Sequence, residues 1–125
     1  MEETQKNQRF LVSQKSKISE KSLFVEFMGD SPMIKVMDYL ITERELDFSI
    51  TDMAENAGIG RATLYRIWDS LIKNEIIVHT RDIGKAKLFK LNTGNQKIKK
   101  LIEIYDMLTL EELKKHAKQK IKVAA

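Results

Sequence analysis

Apolar residues recur at spacings of three and four along most of the chain, and one stretch between residues 76 and 92 changes to alternation. Leu23, Phe24, Phe27 and Met28 outline a short helix over 18–28 that stops near Gly29. Ser31 and Pro32 open a second helix: a serine oxygen caps free backbone N–H groups, and proline at the first helical position has no N–H to lose. Its inward stripe is Met33, Met37, Leu40 and Ile41, widened by Ile34 and Val36. Glu43 to Phe48 reads as a polar linker, with Glu45 and Asp47 as solvated loop carboxylates because nothing apolar surrounds them.

The stretch Ile50 to Ile72 carries two helical patterns across a three-residue break, Gly58-Ile59-Gly60. Ser49 caps the first and Asp52 lies in its first turn, with Met53, Ala54 and Ala57 facing inward. Gly58 supplies the left-handed stop, Ala54 is small where a second helix must cross closely, and Ile59 plugs the angle between the two. In RATLYRIWDSLI, Leu64, Ile67, Trp68, Leu71 and Ile72 form one apolar face, with Trp68 a core residue. Arg61, Ala62, Thr63, Tyr65, Arg66 and Asp69 lie opposite. Arginine can donate two hydrogen bonds to guanine, and a threonine can meet a thymine methyl or a phosphate. The helix alone equally admits a plain solvated face.

The segment after this helix separates the two possibilities. Ile76 to Thr80 is a β-branched run that suits a strand, Asp82-Ile83-Gly84-Lys85 supplies turn residues, and KLFKLN from Lys87 closes a hairpin. Arg81, Lys85 and Lys87 lie at or near its tip, which suits a wing on a phosphate backbone or in a minor groove. Beyond Thr93-Gly94-Asn95, a helix aligns Ile98, Leu101, Ile102, Tyr105 and Leu108 on one face. That face either folds back near Phe24 or, as the favoured reading, pairs with the same helix of a second subunit. Thr109 with Glu112 reads as a capping box that starts a second C-terminal helix, whose Lys114, Lys115, Lys118, Lys120 and Lys122 form a charged outer face.

Composition bounds the function. A chain of 125 residues with 42% apolar content fits one domain with an accessory element. Three segments result: a mobile polar tail over 1–17, a winged helix-turn-helix over 18–92, and a helical dimerisation segment over 93–125. Without cysteine there is no disulfide, thiolate metal site or cysteine nucleophile. His79 and His116 are isolated surface residues rather than metal ligands. No Ser/His/Asp set, phosphate loop or paired carboxylate in apolar surroundings points to an enzyme, and no cofactor is expected. No apolar run is long enough for a membrane helix and the N-terminus lacks a signal-peptide core, so a cytoplasmic, nucleoid-associated protein is expected. The net charge is +4, but it is polarised. Residues 31–60 set Lys35 and Arg44 against six carboxylates, a charge of −4, whereas seven cations against three carboxylates give 61–90 a charge of +4. The basic half coincides with the second helix and the hairpin, as a surface that meets a polyanion requires.

On FMGDSPMIKVMDYLI, SITDMAENAGIGRATLYRIWDSLIKNEII and VHTRDIGKAKLFKLN, the chain resembles the winged helix-turn-helix domains of prokaryotic, especially archaeal, transcriptional regulators of the ArsR/MarR kind. The resemblance covers about half the chain and departs at Gly60, where the family often caps the recognition helix with serine or threonine. It implies a mainly α fold with a small β-hairpin and C-terminal helices, acting as a homodimeric regulator on double-stranded DNA. Arg61, Thr63, Tyr65 and Arg66 would then enter the major groove, and Arg81, Lys85 and Lys87 would contact flanking backbone or the minor groove. A small-molecule effector is left open, since the methionines and phenylalanines more often fill a core than line a pocket. The alternative is a winged-helix module that binds only protein. With the dimer face beyond residue 92, a chain ended after Asn92 is expected to fold as a monomer.

Overall fold

The computed structural model describes residues 22–124, so the tail and the first residues assigned to the first helix lie outside the described residues. In chain order the elements are α1 (Leu23–Met28), α2 (Pro32–Thr42), α3 (Ile50–Ala57), α4 (Arg61–Lys73), β1 (Ile77–Ile83), β2 (Ala86–Leu91) and α5 (Gln96–Ala124). The fold is mainly α with a two-stranded antiparallel sheet, a winged helix-turn-helix continued by one long helix.

Local chemistry sets the boundaries. The hydroxyl oxygens of Ser22, Ser31 and Ser49 accept from the backbone N–H groups of Val25, Ile34 and Asp52, each at 3.1 Å, and so cap α1, α2 and α3. The Ser22 hydroxyl also donates to Asp38 of α2 at 2.8 Å. Burial raises the Asp38 carboxyl above its ordinary value, and the Ser22 bond partly offsets this. Gly58 ends α3 at φ 72°, and the Ile59 N–H reaches back to the Ala54 carbonyl at 3.0 Å, the pairing that closes a left-handed helix end.

One core joins every element. Phe24, Val36, Leu40, Ile41, Met53, Ala54, Leu64, Leu71, Ile77, Phe89, Leu91 and Ile98 are all buried in it. Trp68 packs edge-on against Phe89 with ring centroids 4.8 Å apart, which fixes α4 to the hairpin; it lies half-buried against the core rather than within it. Ile72 departs from its expected place on the inward face and is exposed. Leu71 already fills the inward position there, and the next residue lies about 100° further round the helix.

The hairpin is longer than the alternation suggests. Pairing runs from Ile77 opposite Leu91 to Ile83 opposite Ala86, so Asp82 and Ile83 belong to β1 and only Gly84 and Lys85 form the turn. Gly84 takes φ 61°, as tight hairpin turns demand at their first central residue.

The C-terminal segment differs most. It is one unbroken helix of 29 residues, with no start at Thr109. The Thr109 hydroxyl donates to the Tyr105 carbonyl at 3.1 Å, four residues back, which is how a threonine is accommodated inside a helix. No glycine or proline interrupts 96–124, so nothing ends a first helix and the Thr109–Glu112 spacing is incidental. The first half of α5 folds back on its own domain. Ile98 is 1% exposed, Tyr105 packs 5.8 Å from the Phe24 ring, and its hydroxyl shares a 2.7 Å hydrogen bond with Thr42. Arg44 donates to both oxygens of Asp106 at 2.8 and 3.2 Å, with its guanidinium 5.9 Å above the Tyr105 ring. That hydrogen bonding holds the Asp106 carboxyl below its ordinary value. Of the residues assigned to a dimer face, Ile98 therefore belongs to the chain's own core, and Leu101, Ile102 and Tyr105 pack half-buried against it; Leu108 is half-buried.

Candidate nucleic-acid interface

The outward face of α4 begins at an uncapped end. Gly60 precedes the helix in an extended conformation, φ −70° and ψ 151°, and offers no side-chain acceptor, so the first N–H groups of α4 have no side-chain cap. Arg61, Ala62, Tyr65, Arg66 and Asp69 are exposed on this helix, and Thr63 is half-buried. Tyr65 is 52% exposed despite its size. Neither Arg61 nor Arg66 makes an ion pair among the described residues. Two guanidiniums within the first two turns of the helix, beside a phenol and a hydroxyl, form a donor-rich surface suited to phosphate and base-edge acceptors.

The far end of α4 is held by residues that periodicity does not reveal. Glu75 adopts a left-handed conformation, φ 53°, and turns the chain into β1. Its carbonyl accepts from the side-chain amides of Asn92 and Asn95, both at 3.0 Å, and Asn95 also donates to the Asn74 carbonyl at 3.1 Å. The Asn95 amide oxygen accepts from Lys97 N–H at the start of α5. These asparagines tie the end of the recognition helix to the start of α5. Their sequence signature is only a turn-like cluster, because the carbonyls they bind lie 17 to 21 residues away.

On the hairpin, Lys85 occupies the turn and Lys87 comes just after it, both exposed and without an ion-pair partner among the described residues. Asp82 is hydrogen-bonded to His79 at 2.7 Å, so the carboxylate nearest the turn already has a partner. Arg81 departs from the expected cluster. It lies along β1 opposite Leu88 rather than in the turn, and its guanidinium donates to both oxygens of Asp47 at 2.9 and 3.2 Å.

Asp47 in turn is no solvated loop carboxylate. Its side chain is 18% exposed and also accepts from the Thr80 hydroxyl at 2.6 Å. Hydrogen bonds from Arg81 first, then Thr80, lower its pKa from the ordinary 3.8 to about 2. Because the folded value is the lower one, the stabilising effect of this pairing is complete above about pH 4 and is lost as the pH falls towards about 2. A carboxyl-carbon NMR titration should therefore find Asp47 still ionised at pH 3, where an unpaired aspartate is mostly protonated.

No family model matches the chain, and no curated protein matches it in sequence. Solved structures do share its fold. NadR, crystallised with 4-hydroxyphenylacetate, is 15% identical with a TM-score of 0.55 over 95% of this chain and 82% of its own. MepR of Staphylococcus aureus, a transcription regulator of the multidrug efflux pump MepA, is 15% identical with a TM-score of 0.55 over 91% of this chain and 87% of its own. A MepR variant bound to an oligodeoxyribonucleotide is 13% identical with a TM-score of 0.52, covering 95% of this chain and 92% of its own. The chain thus has the winged helix-turn-helix fold found in these regulators. At such identities the likeness is one of fold.

Proposed function

We propose that this chain is a sequence-specific, double-stranded DNA-binding transcription regulator that acts as a homodimer. The observation that carries the reading is the set of exposed cations without an ion-pair partner among the described residues on the two elements beyond the helix-turn-helix break: Arg61 and Arg66 on α4, Lys85 and Lys87 at the wing turn. α4 lies in the major groove, with Arg61, Thr63, Tyr65 and Arg66 towards base edges and phosphates, while Lys85 and Lys87 meet flanking backbone. The N-terminal N–H groups of α4, left without a side-chain cap by Gly60, suit a phosphate oxygen.

The second copy is expected on a different surface from the one the apolar spacing suggests. Beyond Tyr105, α5 carries Met107, Leu110 and Leu113, which are 59%, 52% and 61% exposed, and Phe27 on the neighbouring α1 is 64% exposed. Side chains of this size and exposure on two packed helices suit burial against the same helices of a second subunit. To read a palindromic site, such a dimer must hold its two copies of α4 about 34 Å apart, one turn of DNA.

Fluorescence anisotropy of the full chain on duplex DNA across a salt series tests the wing. Lys85→Ala should weaken binding to all duplexes alike and reduce the slope of log affinity against log salt by about 1, one phosphate contact. An unchanged slope would remove Lys85 from the interface.

A further inference from the structure

Three side-chain hydrogen bonds join Asp47 to the wing, two from the Arg81 guanidinium and one from the Thr80 hydroxyl. In a regular strand neighbouring side chains point to opposite faces, yet Thr80 and Arg81 are consecutive and both reach the same carboxylate. The register of the hairpin shifts between His79 and Arg81, leaving Thr80 as the extra residue of a β-bulge, and this kink brings the two side chains together. The residue after Asp47 is fixed as well. Phe48 exchanges two backbone hydrogen bonds with Phe89 of β2, both 2.8 Å, so the linker ahead of α3 is pinned to the wing by an isolated antiparallel bridge.

Resting on the DNA-binding reading, we propose that Asp47 is a specificity-determining residue: it holds Arg81 away from phosphates and fixes the wing against the linker that leads into the helix-turn-helix. Arginine on a DNA-facing hairpin adds affinity for any duplex, because phosphate contacts carry no sequence information. An aspartate that occupies both prongs of that guanidinium removes one such contact and leaves Lys85 and Lys87 as the backbone contacts of the wing. Although the Arg81 side chain is 62% exposed, the bidentate geometry, the third bond from Thr80 and the adjoining Phe48–Phe89 bridge orient the pair.

The test uses the full chain, its selected site and a scrambled duplex of equal length, with affinities measured across a salt series. Asp47→Asn and Asp47→Ala free the guanidinium. Each should tighten binding to the scrambled duplex, steepen its salt slope by about 0.9 and narrow the ratio between the two duplexes several-fold. Arg81→Ala should leave the slope unchanged, since that side chain does not meet a phosphate. Thermal melts of all three variants report whether the fold is kept. Because Arg81→Ala and Asp47→Asn perturb opposite sides of the pair, a loss of folding in one leaves the other decisive. If Arg81→Ala flattens the slope by about one contact, Arg81 leaves Asp47 on binding and the proposal is overturned. It is equally overturned if the Asp47 variants bind both duplexes as the unsubstituted chain does. If the unsubstituted chain binds neither duplex, the DNA-binding reading fails, and this proposal with it.

Discussion

A chain ended after Asn92 is expected to lose its cooperative melting transition, whereas one ended after Thr109 should melt close to the full chain and sediment as a monomer. The first cut removes Ile98, which is 1% exposed in the central core, together with Leu101, Ile102 and Tyr105, which pack against that core. Emptying a single buried site of this size costs about 2–5 kcal/mol, and a small domain has only about 5–15 kcal/mol in total. The Thr42–Tyr105 bond and the Arg44–Asp106 pair are lost too. The second cut spares all of these and removes Leu110 and Leu113, which the described chain leaves exposed. Circular dichroism melts with sedimentation velocity separate the outcomes. A folded fragment ending at Asn92 would mean that α5 is dispensable to the core, and a dimer surviving the Thr109 cut would place the interface elsewhere.

Arg66→Ala should weaken binding to the selected site by about 1–3 kcal/mol, roughly 5- to 150-fold, and do so most where a guanine is read. Arg66 is exposed on α4 with no ion pair among the described residues, and Leu64 and Ile67 on the inward side hold the helix irrespective of this side chain. The melting temperature should therefore stay near that of the unsubstituted chain. Equal losses on the selected and scrambled duplexes would make Arg66 a phosphate contact instead of a base reader.

The winged helix-turn-helix is legible because its signals are local. Serine caps, Pro32 at a helix start, Gly58 at a left-handed stop and Leu64 and Leu71 at helical spacing each act within a turn or two of chain, and all recur in the structure. Where partners are distant the sequence misleads. Arg44 and Asp47 look like ordinary linker charges, but Asp106 lies 62 residues from Arg44 and Arg81 lies 34 residues from Asp47. Composition marks such groups as charged without saying which is paired. The same gap puts Arg81 among the unpaired DNA-facing cations when the chain is taken as sequence alone.

The C-terminal helix departs from expectation for a different reason. Its apolar spacing marks a face that needs a partner, but spacing does not say whether the partner is the same chain or another. Phe24, Thr42 and Arg44 decide the matter for the first half of α5, and the apolar residues from Met107 onward inherit the expectation of a second copy. The Thr109–Glu112 pair shows the same limit at short range, since a capping pattern starts a helix only where the preceding one has ended.

Whether the chain reads DNA sequence as a symmetric pair is decided by selecting bound fragments from genomic DNA with the full chain. A pseudo-palindromic motif whose half-sites lie about 10 base pairs apart should be enriched, and Arg66→Ala should lose that enrichment. Recovery of no shared motif at any salt concentration, by a protein shown to be folded, would contradict sequence-specific recognition.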